Sequence, residues 1–149
     1  MNTNNVVNEV FTDIESGKFE QANALLADDF KGMVLDKEVN RPVYISAYRS
    51  LRQGIPDLRF DVQHVKTEGG KVKGTVKISG TNTHAIPALM KGWHEIPATN
   101  KKVEGLVMDL EVTLKNDKIE GIKLSQNAKG LFATLLDNLG TDYKKFRAN

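Results

Sequence analysis

Hydrophobic residues in the first third of the chain recur at intervals of three and four, the spacing of one face of an α-helix. Three segments show this spacing: Val6, Val7, Val10, Phe11 and Ile14; Phe19, Ala22, Leu25 and Leu26; Tyr44, Tyr48 and Leu51. Gly17 and Gly54 stand where the first and third helices should end, and Pro42 stands where a first-turn proline is tolerated. The pattern predicts three helices, with a short strand at residues 33–35 between the last two.

From Leu58 onward the hydrophobic period changes to two, which is typical of half-buried strands. Alternation predicts strands over residues 58–63, 72–80, 106–114 and 118–124, with hairpin turns at 68–70 and 116–117 and a proline-punctuated loop at 85–100. A last helix carries five apolar residues: Leu131, Phe132, Leu135, Leu136 and Leu139. Helices followed by a meander of strands indicate an α+β domain spanning residues 1–149, its curved antiparallel sheet wrapped around the N-terminal helices.

Composition narrows the functional classes. The chain has 149 residues, no cysteine and a net charge of +2. Zinc ribbons, iron–sulfur sites and thiol nucleophiles are therefore excluded, and nothing in the sequence favours nucleic acid as a partner. The first residues lack the basic and apolar parts of a signal peptide, and no apolar run approaches the ~20 residues that cross a bilayer. We therefore expect a cytoplasmic protein that does not bind membranes. Motifs for phosphate loops, dinucleotides, serine hydrolases and zinc proteases are absent from the sequence, and we expect no cofactor.

Polar residues follow the apolar rows of three strands at positions that should meet. If the inward–outward alternation of the strand from Val72 continues, Asn82 and His84 lie at the end of that strand on its inward face. The next strand begins near Glu104, and the last strand ends at Gln126. Because hairpins alternate strand direction, these ends lie at one edge of the sheet. We expect either the polar mouth of a mostly apolar cavity, which is the usual form of a ligand site, or a rim that is simply solvated.

Within this cluster, His84 is the residue suited to moving protons near pH 7. Glu104 could accept a hydrogen bond from one ring nitrogen and leave the other as a base. His64, His84 and His94 lack tight metal-ligand spacing, so we expect no metal site.

Six further residues are candidates for contact with a ligand because they are aromatic or apolar and either face inward or lie in the long loop. They are Tyr44, Tyr48, Phe60, Met90, Trp93 and Met108. Trp93 could act as a lid over the mouth, plug the end of the sheet or form a subunit contact. Tyrosines at this spacing on a helix are more often core residues, although the hydroxyls of these two could reach the cavity.

Short motifs stand in a fixed order through nearly the whole chain: G-I-P-D-L-R-F at 54–60, G-T-N-T-H at 80–84, I-P-A-T-N-K-K-V at 96–103, D-K-I at 117–119, G-L at 130–131 and L-G at 139–140. This series resembles the SnoaL-like polyketide cyclases. The resemblance implies the nuclear transport factor 2-like fold, a conical α+β barrel with a deep pocket. It also implies a homodimer or homotetramer and a small apolar or polyketide-like ligand.

The sequence departs from the family pattern where the chemistry is expected. Asn82 occupies the position of the family's histidine, His84 follows two residues later, and Asn127 replaces the family's cyclase aspartate. One hypothesis is a cofactor-independent cyclase or isomerase acting on an apolar carbonyl compound. In it, His84 is the base, and Asn82, Gln126 and Asn127 donate hydrogen bonds to a developing enolate oxygen. The alternatives are a non-catalytic ligand-binding or oligomerisation module and an adaptor that binds proteins through the outer sheet face.

Overall fold

The computed structural model describes residues 3–35, 37–126 and 129–147, with side chains from Val6 onward. Its helices are α1 (Thr3–Glu15), α2 (Phe19–Ala24), α3 (Arg41–Gly54) and α4 (Leu131–Asn138), with a short 3₁₀ helix at Tyr143–Phe146. Its strands are β1 (Leu26–Val34), β2 (Lys37–Val39), β3 (Arg59–Glu68), β4 (Lys71–Ser79), β5 (Leu106–Lys115), β6 (Lys118–Gln126) and β7 (Lys129–Gly130). Within these described residues, no helix is long and apolar enough to cross a membrane.

The strands form one curved sheet in the order β2-β1-β6-β5-β4-β3, and β7 pairs with β6. Strands β3 to β6 form the expected antiparallel meander, in which Asn116 and Asp117 adopt the left-handed conformation of a tight turn (φ 52° and 64°). The sheet is not closed, because β2 and β3 stand at its two ends. The predicted α+β architecture, with a curved sheet around the helices and a C-terminal helix, is confirmed.

Strand β1 differs most from the sequence prediction. It runs over nine residues, where only residues 33–35 were expected, and its Phe30, Gly32 and Val34 face inward while Lys31 and Met33 are exposed. It pairs with β2 on one side and lies parallel to β6 on the other. A parallel pairing between strands so far apart in sequence depends on tertiary structure, so local alternation does not reveal it.

Aromatic side chains fill the interior between the helices and the sheet. The rings of Tyr44 and Tyr48 lie 4.9 Å apart, and Phe132 lies 5.2 Å from Tyr48. On the other side of the cluster, Phe60 packs 5.2 Å from Phe11. The interior near β3 and β4 is therefore a packed core and not an open pocket.

Strand β4 ends earlier, and β5 begins later, than the continued alternation in the sequence suggested. Gly80, with φ 150°, follows the last residue of β4, and Gly105, with φ 55°, precedes β5. Beyond them, the two segments form an isolated antiparallel bridge between Thr81 and Lys102. The Asn82 N–H donates to the Lys101 carbonyl (2.9 Å), and the Val103 N–H donates to the Gly80 carbonyl (2.8 Å). Asn82 still falls on the buried phase, but Thr83 and His84 are both exposed, so the alternation breaks there. The prediction that β4 extends to residue 84 is therefore wrong.

Substitution of Gly80→Ala is expected to lower the free energy of unfolding by about 2–4 kcal/mol. The backbone conformation is strained for an L side chain, and the new Cβ would overlap Ile55 Cγ2. Gly121→Ala is the matched control, because its new Cβ would stand 3.6 Å from the Lys31 carbonyl, an ordinary contact. Urea unfolding followed by Trp93 fluorescence measures both variants. Equal midpoints for the two would contradict the role given to Gly80.

Candidate functional site

A cavity of about 510 Å³ opens between β1 and β6. The two strands pair at Leu26–Ile119 and Lys31–Gly121, and the pairing does not continue beyond. From there β1 turns into β2, while β6 continues to β7. The strands therefore diverge and leave a gap through the sheet. Its volume lies within the range of roughly 300–1,000 Å³ that is usual for small-molecule sites.

Apart from Tyr44, the buried side chains at the floor of this cavity are apolar. Its buried lining residues are Tyr44 from α3, Ile122 and Leu124 from β6, and Leu131 from α4. Gly32 of β1 makes room for the tyrosine, because a Cβ there would lie 2.7 Å from Tyr44 Cδ1 and 2.8 Å from Cε1. A glycine within a strand often marks such a close approach. This contact fixes the ring of Tyr44 against β1.

The hydroxyls of Tyr44 and Tyr48 lie 2.8 Å apart in a hydrogen bond in which either oxygen can donate. The two residues stand four apart on α3, one turn along the same face. Tyr48 is fully buried and is not part of the cavity lining, whereas Tyr44 lines the cavity. When Tyr48 donates to Tyr44, the proton of the Tyr44 hydroxyl is free for an acceptor in the cavity.

Burial raises the pKa of both phenols above the ordinary value. For Tyr44, the hydrogen bond with Tyr48 acts in the opposite direction, but the effect of burial is larger. Both hydroxyls therefore stay protonated at neutral pH. Tyr44 can act there as a hydrogen-bond donor, and it cannot act as a base.

Charged side chains surround the mouth of the cavity. They are Lys31, Glu38, Glu111, Lys123 and Lys129. Lys129 is paired with Asp137 at 2.7 Å, and this hydrogen bond raises the pKa of its ammonium. Glu111 lies 3.6 Å from Lys71. Among the described residues, Lys31, Glu38 and Lys123 form no salt bridge.

Asn82, expected as a donor to a ligand, is a structural residue. Its side chain is fully buried, and its Nδ2 donates to the carbonyls of Gly54 (3.1 Å) and His84 (2.9 Å). Its Oδ1 accepts from the N–H (2.8 Å) and the hydroxyl (2.9 Å) of Thr99. The amide has no hydrogen-bonding capacity left, because both donors and both lone pairs are occupied. Asn82 joins the end of α3 to the long loop.

His84 and Glu104 do not form the expected pair. The imidazole is exposed, and its Nδ1 shares a hydrogen bond of 2.9 Å with the Thr83 hydroxyl. Glu104 is also exposed, and both of its backbone polar groups are bonded to the Asn138 amide at 2.9 Å. Neither residue lines the cavity. The predicted pair is absent because the strand phase it assumed breaks after the buried Asn82 on one side and at Gly105 on the other. The catalytic roles of the two residues stay a prediction without support from geometry.

Gln126 does not line the cavity either. Gln126, at the end of β6, donates from Nε2 to the Val107 carbonyl of β5 at 2.9 Å. Asn127 lies outside the described residues.

The apolar candidates also fall outside the cavity, with one exception. Trp93 packs against the C-terminal segment, 6.3 Å from the Tyr143 ring and with the Arg147 guanidinium 5.7 Å from its own ring. Met90 is half-buried against the core. Phe60 and Met108 are core residues that do not line the cavity. Of the two tyrosines considered, Tyr44 lines the cavity and Tyr48 supports it from the core.

The residues that form the mouth were not predicted from the sequence, above all Lys31, Gly32 and Lys123. Lysines on the outer phase of a strand carry no signal, since they are typical of a solvated face. Gly32 was the available clue, because it interrupts the apolar inward phase of Phe30 and Val34.

Asn82→Ala is expected to lower the free energy of unfolding by about 2–4 kcal/mol, because it removes the acceptor of the Thr99 N–H and the donor to the His84 carbonyl. Thr83→Ala is the control at an exposed neighbouring position and should shift stability by about 0.5 kcal/mol or less. Thermal unfolding of both variants measures the difference. A fully stable Asn82→Ala protein would contradict the structural assignment.

Comparison with known proteins supplies the family. The sequence profile of the SnoaL-like polyketide cyclases matches residues 5–135. Among solved structures, IdmH from Streptomyces antibioticus, a proposed polyketide cyclase, is 16 % identical with a TM-score of 0.70, and the match covers 95 % of this chain and 100 % of IdmH. No curated protein matches the sequence.

Two other structures show how far the fold extends. A SnoaL-like polyketide cyclase from Agrobacterium tumefaciens is 12 % identical with a TM-score of 0.66, covering 86 % of this chain and 93 % of that one. A de novo designed protein with a curved β-sheet is 19 % identical with a TM-score of 0.58, covering 93 % of each chain. Likeness at these identities shows the fold alone, and the profile match carries the family assignment. The chain belongs to the SnoaL-like polyketide cyclase family.

Proposed function

We propose that this protein binds a small, largely apolar carbonyl compound in the cavity between β1 and β6. The Tyr44 hydroxyl then donates a hydrogen bond to the carbonyl oxygen. The observation that carries the proposal is the buried pair of hydroxyls at the cavity floor, 2.8 Å apart, of which Tyr44 borders the cavity.

The cavity floor favours a ligand of this class. Ile122, Leu124 and Leu131 offer apolar contact, so a ligand body without charges gains from leaving water. A carbonyl oxygen in such surroundings needs a donor, since burial of an oxygen without one costs free energy. The Tyr44 hydroxyl supplies that donor. The family name and the activity proposed for IdmH support a polyketide-like compound.

Catalysis would use the same hydrogen bond. A base removes a proton from the carbon next to the carbonyl, the electron pair moves onto the oxygen, and the Tyr44 hydroxyl stabilises the enolate that forms. Such a cyclase or isomerase needs a base near the ligand. Of the described residues that line the cavity, the carboxylates Glu38 and Glu111 can accept a proton, and Glu111 is engaged with Lys71.

The alternative is a binding module of the same fold without catalysis, and the exposed position of His84 favours it. Deuterium uptake separates the two functions. A catalyst would exchange the methyl protons of 2-acetylnaphthalene with solvent faster than buffer does, whereas a binding module would leave that rate unchanged.

Tyr44→Phe is expected to weaken the binding of 2-acetylnaphthalene about five- to thirtyfold, because it removes one hydrogen bond to a buried oxygen. Tyr48→Phe should weaken it about threefold, since the Tyr44 hydroxyl then loses its supporting partner. Titration calorimetry measures both. The matched ligand is 2-ethylnaphthalene, which lacks the oxygen and should bind both variants as it binds the wild type. A parallel loss for the two ligands would refute the hydrogen bond to the carbonyl.

His84→Ala and Glu104→Gln are each expected to change 2-acetylnaphthalene binding by less than about twofold, because neither residue lines the cavity. The same titration measures this. A tenfold loss in His84→Ala would place the imidazole at the ligand and restore the prediction made from the sequence.

A further inference from the structure

We propose that the ligand carries a carboxylate at the end remote from its carbonyl group, and that Lys31 and Lys123 bind this carboxylate at the mouth of the cavity. The inference rests on the proposed function, because it defines the ligand of the same site more narrowly. It gives the ligand three parts: an oxygen acceptor at the floor, an apolar body and an anionic head at the surface.

Strand register places the two lysines on opposite sides of the mouth. Lys31 of β1 stands level with Gly121 of β6, at the last pair before the strands diverge. The strands run parallel, so Lys123 lies two residues farther along, about 7 Å at the usual rise per residue. Both side chains are exposed and line the cavity. A single carboxylate between them is within reach of both flexible side chains.

The other charges at the mouth leave these two ammonium groups available. Lys129 is bound to Asp137, and Glu111 is engaged with Lys71 although its register partner is Lys123. Glu38 has no salt bridge among the described residues, but it lies on β2, with β1 between it and β6. The two strands that border the gap therefore carry the ammonium groups of Lys31 and Lys123. The neighbouring carboxylate on β5, that of Glu111, is already paired with Lys71.

Lysines on the outer face of a sheet usually serve only solubility, and this explanation has to be tested against binding. Two features distinguish these lysines. They stand on inner strands of the sheet, β1 and β6, and not on its end strands. They also border the opening of an apolar cavity, where a charged group on a ligand can stay in water while its body is buried.

The test compares an anionic probe, 6-acetyl-2-naphthoate, with its methyl ester, which is neutral and larger by one methyl group. The wild type is expected to bind the acid about tenfold more tightly than the ester at 20 mM salt, and the preference should disappear at 0.5 M salt. The double variant Lys31→Gln/Lys123→Gln should bind the two probes alike, with its affinity for the ester within about twofold of wild type.

Lys66→Gln/Lys77→Gln is the matched control. It removes the same charge from exposed positions on β3 and β4 that do not line the cavity, and the preference for the acid should remain. If this control also loses the preference for the acid, the preference depends on the net charge of the protein and not on Lys31 and Lys123. That result would overturn the inference.

The remaining outcomes separate the inference from the proposed function. A wild type that binds the ester as well as the acid, or a Lys31→Gln/Lys123→Gln variant that keeps the preference, overturns the carboxylate assignment. If ester binding is still weakened by Tyr44→Phe, the proposed function stands. If the wild type binds neither probe, both proposals fail. Thermal unfolding confirms that each variant is folded, which is expected for exposed lysines.

Discussion

The hydrogen bonding of β1 is the constraint on which the rest of the structure depends. This strand pairs with β6 as far as Lys31 and Gly121, and from there its pairing is with β2 alone. A sheet whose central strands stayed paired to the end would be continuous at this point. The gap exists because β1 turns away, and α3 crosses behind it with Tyr44 pressed against Gly32. Cavity, floor and mouth all follow from this divergence.

Much of the fold could be predicted from the sequence because its signals are local. The spacing of Val6, Val10 and Ile14 reports one helix face, and the alternation of Leu106, Met108 and Leu110 reports one strand face. Both depend only on backbone geometry within a few residues. The same holds for the turn at Asn116–Asp117, since these residue types tolerate the left-handed conformation that the hairpin uses.

The site could not be predicted in the same way, because it depends on contacts between distant segments. The parallel pairing of β1 with β6 joins residues about ninety positions apart, and nothing local in either strand specifies it. Asn82 shows a second limit. A buried amide can bind a ligand or complete the backbone hydrogen bonds of its own fold, and only its four contacts with Gly54, His84 and Thr99 decide for the latter. Tyr44 was among the residues that the sequence offered as ligand contacts. Its place at the cavity floor depends on Gly32, which lies on β1 and makes room for its ring.

The entrance to the cavity pierces the broad side of the sheet, between two strands, and does not lie at a strand end. Any macromolecule that covers the outer surface of β1 and β6 therefore seals the interior. Molecules already inside would be trapped, and those outside would be kept out until the complex came apart. Assembly through that surface would therefore close this opening to the proposed ligand.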